Sequence, residues 1–208
     1  QILFPVRLKN IYMKRSCIMG ENMNVEQYRN LLRERLSEKR FLHCINVSKE
    51  AVFLAHKYGA DEKKAELAGL LHDIMKEAPD DEQNKVFNDN KVKLNSIEKI
   101  TPKLWHAISG AYYIKNVLKI DDNDIFNAVR YHTTGRKNMS LLEKIIFVAD
   151  FTSFERDYEG VEEIRKSAYR NIDSGVMEGL SFSIYDLAKN KRPIHNDTIE
   201  AYNNALLK

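Results

Sequence analysis

The stretch Leu70-Leu71-His72-Asp73-Ile74-Met75-Lys76 decides how the chain is read: an apolar run ends there in adjacent histidine and aspartate, with a lysine three residues beyond. A neutral imidazole and an ionised carboxylate are both good ligands for a borderline-hard divalent metal. Consecutive helical residues project about 100° apart, so one ion is gripped by both only near a helix end, or with the aspartate leaning across. Lys76 falls one turn beyond His72 on nearly the same face, where a cation suits a phosphate that a metal is to hydrolyse. Such a pair is common in proteins, and its weight depends on partners elsewhere in the chain.

Working outward, the chain reads as helices. Asp61 caps one whose Ala65, Ala68, Leu71 and Met75 form a buried stripe, and Pro79 forbids its continuation. Before it, a helix from about Lys39 to Tyr58 carries Ile45, Ser48, Val52 and Ala55 on its apolar face and has Gly59 as C-terminal cap. The first helix starts at Asn24 and repeats Tyr28, Leu31, Leu32 and Leu36 at helical spacing. Downstream, residues 80–93 read as a short exposed helix and turn without legible chemistry. Pro102 precedes a helix of about 104–118, and Asp121 or Asp122 caps the next, which ends at Thr133-Thr134-Gly135. Ser140 and Glu143 form a capping box ahead of an apolar run from Leu141 to Ala149, with Asp150 at its end. After Gly160 come helices over Val161–Tyr169 and Asp173–Asn190, then one capped by Asp197 with Glu200 three residues later. Strand alternation and internal repeats are lacking, so the fold class is all-α.

With 208 residues the chain builds one sizeable core. It divides into a single domain over 24–208 and an N-terminal extension, 1–23, whose role the residues do not reveal. The 33 basic against 30 acidic residues leave a net charge of +3, too little to argue for a nucleic-acid polymer as partner. Cys17 and Cys44 sit in no metal or CxxC spacing, which fits a reducing, cytoplasmic location. Neither a run long enough to span a bilayer nor the order of a secretory signal is present, so a membrane partner is not expected.

The partners of the 72–73 pair are His43, His106, His132 and Asp150, spread over successive helices that share one core. Burying such groups without a metal costs several kcal/mol for each unpaired one, so their joint occurrence favours a metal. His56 serves as a control: about 220° around the helix from His43, it belongs on the surface. Cys44, rotated about 100° from His43, belongs in the core.

The order His43, His72-Asp73, Asp150 resembles the H…HD…D signature of the HD-domain metal-dependent phosphohydrolases, and His106 with His132 resembles the subset that holds two metals. Residues 66–77, Leu104-Trp105-His106-Ala107, Tyr131-His132-Thr133-Thr134-Gly135-Arg136, residues 143–150 and Arg192-Pro193-Ile194-His195 are similar to the bacterial YqeK family. That family consists of symmetrical bis(5′-nucleosyl)-tetraphosphatases, which cleave diadenosine tetraphosphate into two ADP. From about Asn24 to the C-terminus, the resemblance implies an HD-domain helical bundle, its core over about 39–155, with the metal site between core helices. It implies that His43, His72, Asp73 and Asp150 hold a first metal and that Asp73 bridges to a second held by His106 and His132. It implies iron, whereas the residues themselves specify only N and O ligands, which iron, manganese, cobalt or zinc can use.

The expected reaction is phosphoanhydride hydrolysis by a metal-bound hydroxide, with a dinucleoside polyphosphate as substrate and nucleoside diphosphate as product. Asp73 and Lys76 are the expected catalytic residues, Lys76 on a non-bridging oxygen, with Arg136 or Arg156 taking the distal phosphates. Thr133, Thr134 and Gly135 either line the phosphate path or form a helix C-terminal turn with a left-handed glycine. His195 either touches base or ribose or merely packs. The rival readings are another HD hydrolase acting on nucleoside tri- or monophosphates and a nucleotide-sensing module without turnover. Phe151, Phe154 and Tyr158 read as exposed aromatics that suit a homodimer.

Overall fold

The computed structural model describes residues 24–207, which form eleven α-helices and no strand. Helix α1 (Val25–Arg35) opens on a capping box between Asn24 and Gln27. Helix α2 (Glu38–Tyr58) starts at Ser37 and stops where Gly59 adopts a left-handed conformation, φ 73°. Its buried stripe runs through Phe41, Cys44, Val47, Ser48, Ala51, Leu54 and Ala55, leaving Ile45 and Val52 at its margins. Helix α3 (Glu62–Leu71), capped by Asp61 as expected, lies tightly against α2. Their contact needs glycine at position 69, where a Cβ would stand 2.8 Å from the Cα of Ser48.

Here the structure departs from the expected helix through Met75: α3 ends at Leu71, and the chain continues in three-residue turns. Ile74 N–H donates to Leu71 O at 3.1 Å and Lys76 N–H to Asp73 O at 2.8 Å. The apolar stripe persists through these turns, with Ile74 and Met75 buried, so hydrophobic periodicity alone does not reveal where α-helix gives way to tighter turns.

Helices α4 (Asp80–Asp89) and α5 (Ser96–Ile100) and a 3-10 turn (Pro102–Leu104) lead into α6 (Trp105–Asn116). Helix α4 is not a wholly exposed segment, since Gln83 and Phe87 are buried. Helix α7 (Asn123–Tyr131) is capped by Asp122. Helix α8 (Leu141–Thr152) is the central element, packed on α2, α3 and α7, and on α10 (Ile172–Lys189), which follows α9 (Val161–Arg170). Leu142, Ile145, Ile146, Phe147, Val148 and Ala149 are all buried, the larger ones worth about 1.5–3 kcal/mol each relative to exposure. Helix α11 (Asn196–Leu206) closes the described chain.

Two expected caps differ. Ser140 accepts from Glu143 N–H, but the Glu143 carboxylate turns to Arg136 instead of completing the box. Helix α11 is capped by His195, whose Nδ1 accepts from Asp197 N–H at 3.1 Å, and not by Asp197. Of the three aromatics read as exposed, only Phe154 is (90 %); Phe151 and Tyr158 pack on Phe182. Cys44 is buried, whereas Cys17 and the 1–23 extension lie outside the described residues. Among those residues no helix is long and apolar enough to cross a membrane.

Candidate metal centre

Five helices deliver the site. His43 lies on the inner face of α2, and His106 is the second residue of α6. His72 and His132 are the C-caps of α3 and α7, while Asp150 lies in the last turn of α8. A helix end leaves carbonyls without intrahelical partners, and both C-cap histidines use one. The Nδ1–H of His72 donates to Gly69 O and that of His132 to Val129 O, each at 2.7 Å. His43 Nδ1 donates instead to Glu155 Oε1 at 2.5 Å. In the tautomers these bonds select, all three rings turn the Nε2 lone pair inward.

Those lone pairs meet. Nε2 of His43 is 3.3 Å from Nε2 of His72 and 3.1 Å from Asp150 Oδ1, and the Nε2 atoms of His106 and His132 are 3.2 Å apart. Donors on one first-row ion, with bonds of about 2.1 Å, stand about 3 Å apart. Without a cation, such facing lone pairs repel. Donor atoms of His43, His72 and Asp150 lie within 4.8 Å of one another, as do those of His72, Asp73 and His132.

Asp73 sits between the two groups. Its Oδ2 is 3.5 Å from His72 Nε2 and 3.9 Å from His43 Nε2, whereas Oδ1 is 3.1 Å from His106 Nε2 and 3.5 Å from His132 Nε2. Oδ1 is buried without a hydrogen-bond partner of proper geometry, an orphaned acceptor that a metal would satisfy. Oδ2 accepts from Arg40 Nη1 at 2.8 Å. Lys76 Nζ lies 3.2 Å from His106 Nε2 and 3.9 Å from Asp73 Oδ1, at the exposed edge of the cluster.

The electrostatics suit ligation. Burial pushes His72 down to about 3 and His106 to about 4, against the opposing pull of Asp73. Burial opposes ionisation of Asp73 and Asp150, but His72 and His106 hold the first well below the carboxylate range, and His43 and Arg156 the second. His43 is raised, because Asp150 and Glu155 together outweigh its burial. Near neutrality the set offers ionised carboxylates and neutral imidazoles at His72 and His106, which is the donor chemistry of a divalent N/O site.

Some expected residues lie elsewhere. Arg136 is held bidentately by buried Glu143 at 2.6 and 2.8 Å and lines a different cavity, away from the cluster. Arg156 is taken up by Asp150, donating to both its carboxylate and its main-chain O. Gly135 adopts φ 62° in the turn after α7, the conformation of the helix-end reading. Exposed His56 pairs with Glu62, as a surface histidine should. Glu155 and Arg40 are absent from the set that the sequence singles out. Arg40 precedes His43 by three residues on α2, a spacing that could have revealed it. Glu155 lies beyond α8 in irregular chain, where no period applies. That segment is held by Arg165, which donates to the carbonyls of Thr152, Ser153 and Arg156 at 2.8–2.9 Å.

A cavity of about 490 Å³ has a lining that includes Leu104, Thr133, Phe182, Leu187, Arg192 and His195, with Thr133 next in the chain to His132 and Leu104 two residues before His106. Lys103 and Thr134 also line it, and Thr133 Oγ1 is a buried atom without a hydrogen-bond partner. Glu98 anchors His195 from behind, their side chains 3.5 Å apart.

Comparison with known proteins identifies the family. The HD domain family model matches residues 40–155. The chain is 40% identical over 185 residues to a symmetrical bis(5′-nucleosyl)-tetraphosphatase of Halalkalibacterium halodurans, covering 89% of this chain and 98% of that protein. The protein of the same name from Bacillus subtilis is 36% identical over 181 residues, 87% of this chain and 97% of its own. A crystal structure from Clostridium acetobutylicum, named a "predicted HD superfamily hydrolase involved in NAD metabolism", superposes with a TM-score of 0.87 at 34% identity. It covers 90% of this chain and 99% of that one.

Proposed function

Because the chain belongs to the HD-domain family, and within it to the symmetrical bis(5′-nucleosyl)-tetraphosphatases, we propose that it hydrolyses diadenosine tetraphosphate and related dinucleoside tetraphosphates to two nucleoside diphosphates, using two divalent metals held by the residues around Asp73. The observation that carries this reading is the placement of Asp73, one oxygen toward His43 and His72 and the other, orphaned, toward His106 and His132.

His43, His72, Asp73 and Asp150 would hold one ion, and Asp73, His106 and His132 the other; iron, manganese, cobalt and zinc all suit these donors. When bound, such ions supply Lewis acidity toward a phosphoryl oxygen and an acidified water. The remaining work falls to the chain. Lys76, at the exposed edge of the cluster, offers an ammonium to a non-bridging phosphate oxygen, where negative charge concentrates in the reaction. Of the cations lining the cavity, Arg192 stands 4.0 Å from Asp186, which also lines it, and Lys103 is left to meet a phosphate of one nucleoside diphosphate half. The cavity's apolar lining of Leu104, Phe182 and Leu187 suits a nucleobase. A nucleoside diphosphate is a weakly basic leaving group, so its departure needs little help from a general acid.

Incubating the protein with diadenosine tetraphosphate and Fe²⁺ or Mn²⁺, with products resolved by chromatography, tests the reading. ADP as sole nucleotide product is expected. ATP plus AMP, or no turnover, would overturn it.

A further inference from the structure

The four histidines of the cluster are not anchored alike. His72 and His132 donate their outer N–H to neutral main-chain carbonyls, and no partner of His106 Nδ1 is seen among the described residues. His43 alone is backed by a carboxylate, Glu155. That carboxylate is itself oriented, accepting at the same Oε1 from Ser153 Oγ at 2.9 Å, and the main chain around it is clamped by Arg165. From this asymmetry we infer that Glu155 is a positioning residue for His43 and makes the ion held by His43, His72 and Asp150 the more tightly bound of the two.

The physical reason is the outer hydrogen bond. A carboxylate accepting from Nδ1–H fixes the tautomer and the plane of the ring and raises the basicity of the inward Nε2. A carbonyl fixes the tautomer equally well but adds no net charge. The ion at His43 therefore meets Asp150 and half of Asp73 directly and Glu155 through the imidazole, whereas the ion at His106 and His132 has only its share of Asp73. Cations narrow the balance without reversing it. Lys76 stands 3.2 Å from His106 Nε2, so the second ion binds against a nearby ammonium. Arg156 on Asp150 and Arg40 on Asp73 oppose the first ion in the same sense, but with Glu155 counted its carboxylates still outweigh those two cations, whereas at the second ion the share of Asp73 does not outweigh Lys76. Loading is then ordered, with the His43 ion retained while the other exchanges.

The inference rests on the two-metal reading above but not on the identity of the substrate, and its test is metal binding rather than turnover. Metal-free wild-type protein, Glu155→Gln and Glu155→Asp are titrated with Mn²⁺, following free Mn²⁺ by electron paramagnetic resonance, with His106→Ala as reference for the other ion. Glutamine can still accept from His43 Nδ1–H but carries no charge. The expected result is a loss of about 10–100-fold in the tighter binding step of Glu155→Gln, with the weaker step within about twofold of wild type. Glu155→Asp, which restores the charge, should recover part of the loss, a rescue that a purely structural role would not show. In His106→Ala the weaker step should fall instead. Both steps unchanged in Glu155→Gln, or both reduced alike, would overturn the role of Glu155 and leave the metal centre standing. Wild-type protein that takes up no Mn²⁺ would overturn the metal centre itself.

Discussion

His72 and His132 are held by the same device: each caps its helix, and each sends its Nδ1–H 2.7 Å to the carbonyl three residues back. Two helices thus use an otherwise unsatisfied terminal carbonyl to aim an imidazole, which ties ligand orientation to the point where each helix ends. Asp73 follows the first of these caps directly and lies between both histidine groups.

From that position, Asp73→Ala should remove both metals, whereas His132→Ala should mainly weaken the second. Elemental analysis after gel filtration reads the difference, with less than about 0.2 ion per chain expected for the aspartate variant and about one for the histidine variant. Equal retention in the two would show that Asp73 does not bridge.

Gly69 serves two purposes, close packing and the carbonyl that His72 uses. A Cβ at this position would meet Ser48 Cα at 2.8 Å and Ser48 N and Val47 O at 3.1 Å, all backbone atoms that cannot turn aside. Gly69→Ala should therefore separate α2 from α3, costing about 1–3 kcal/mol or more in urea denaturation. It should also lower metal retention, because the carbonyl that aims His72 moves with α3. A variant as stable as wild type would show that the two helices part without cost.

Much of this was legible beforehand because ligand chemistry needs particular residue types on inward faces, and spacing reveals faces. His43, His106, His132 and Asp150 lie where helical periodicity places them. The turns at 72–77 were not legible, since Ile74 and Met75 continue the apolar stripe after the α-helical hydrogen bonds have stopped. The pairing of Arg156 with Asp150 and the capping of α11 by His195 depend on irregular backbone, for which sequence carries no period. Arg136 is illegible for a related reason: in sequence a guanidinium near a phosphate site and one neutralising buried Glu143 look alike until the carboxylate is located.

Glu98 gives a pH dependence with a definite sign. Burial alone would raise its carboxyl, but His195, the Asn95 N–H at 2.8 Å and Arg130 at 2.5 Å hold it down at about 2. A folded-state value below the unfolded 4.5 means that the contribution is full above about pH 4.5 and lost as pH falls through 2. The shift corresponds to about 3 kcal/mol. Glu98→Gln should lose about 2–3 kcal/mol at pH 7. In urea unfolding at stepped pH, its deficit relative to wild type should close between pH 4.5 and 2. A deficit independent of pH would assign the role of Glu98 to packing.

Arg40 lies 2.8 Å from Asp73 Oδ2, and its contribution should depend on whether metal is present. In the metal-free protein this guanidinium is the nearer of the two permanent cations beside a carboxylate that is 2 % exposed, with Lys76 more distant at 3.9 Å. Removing one partner of a buried pair costs about 3–5 kcal/mol when nothing replaces it, and here Lys76 remains, so about 2–3 kcal/mol is expected for Arg40→Ala. Divalent ions on Asp73 would supply the missing positive charge, and the guanidinium that opposed them would be gone. The variant should consequently melt about 5–10 °C below wild type in EDTA and recover most of that difference in Mn²⁺. By linkage, its Mn²⁺ affinity should equal or exceed that of wild type even though its metal-free form is weaker. An equal deficit with and without metal would mean that Arg40 supports α2 rather than the charge of Asp73.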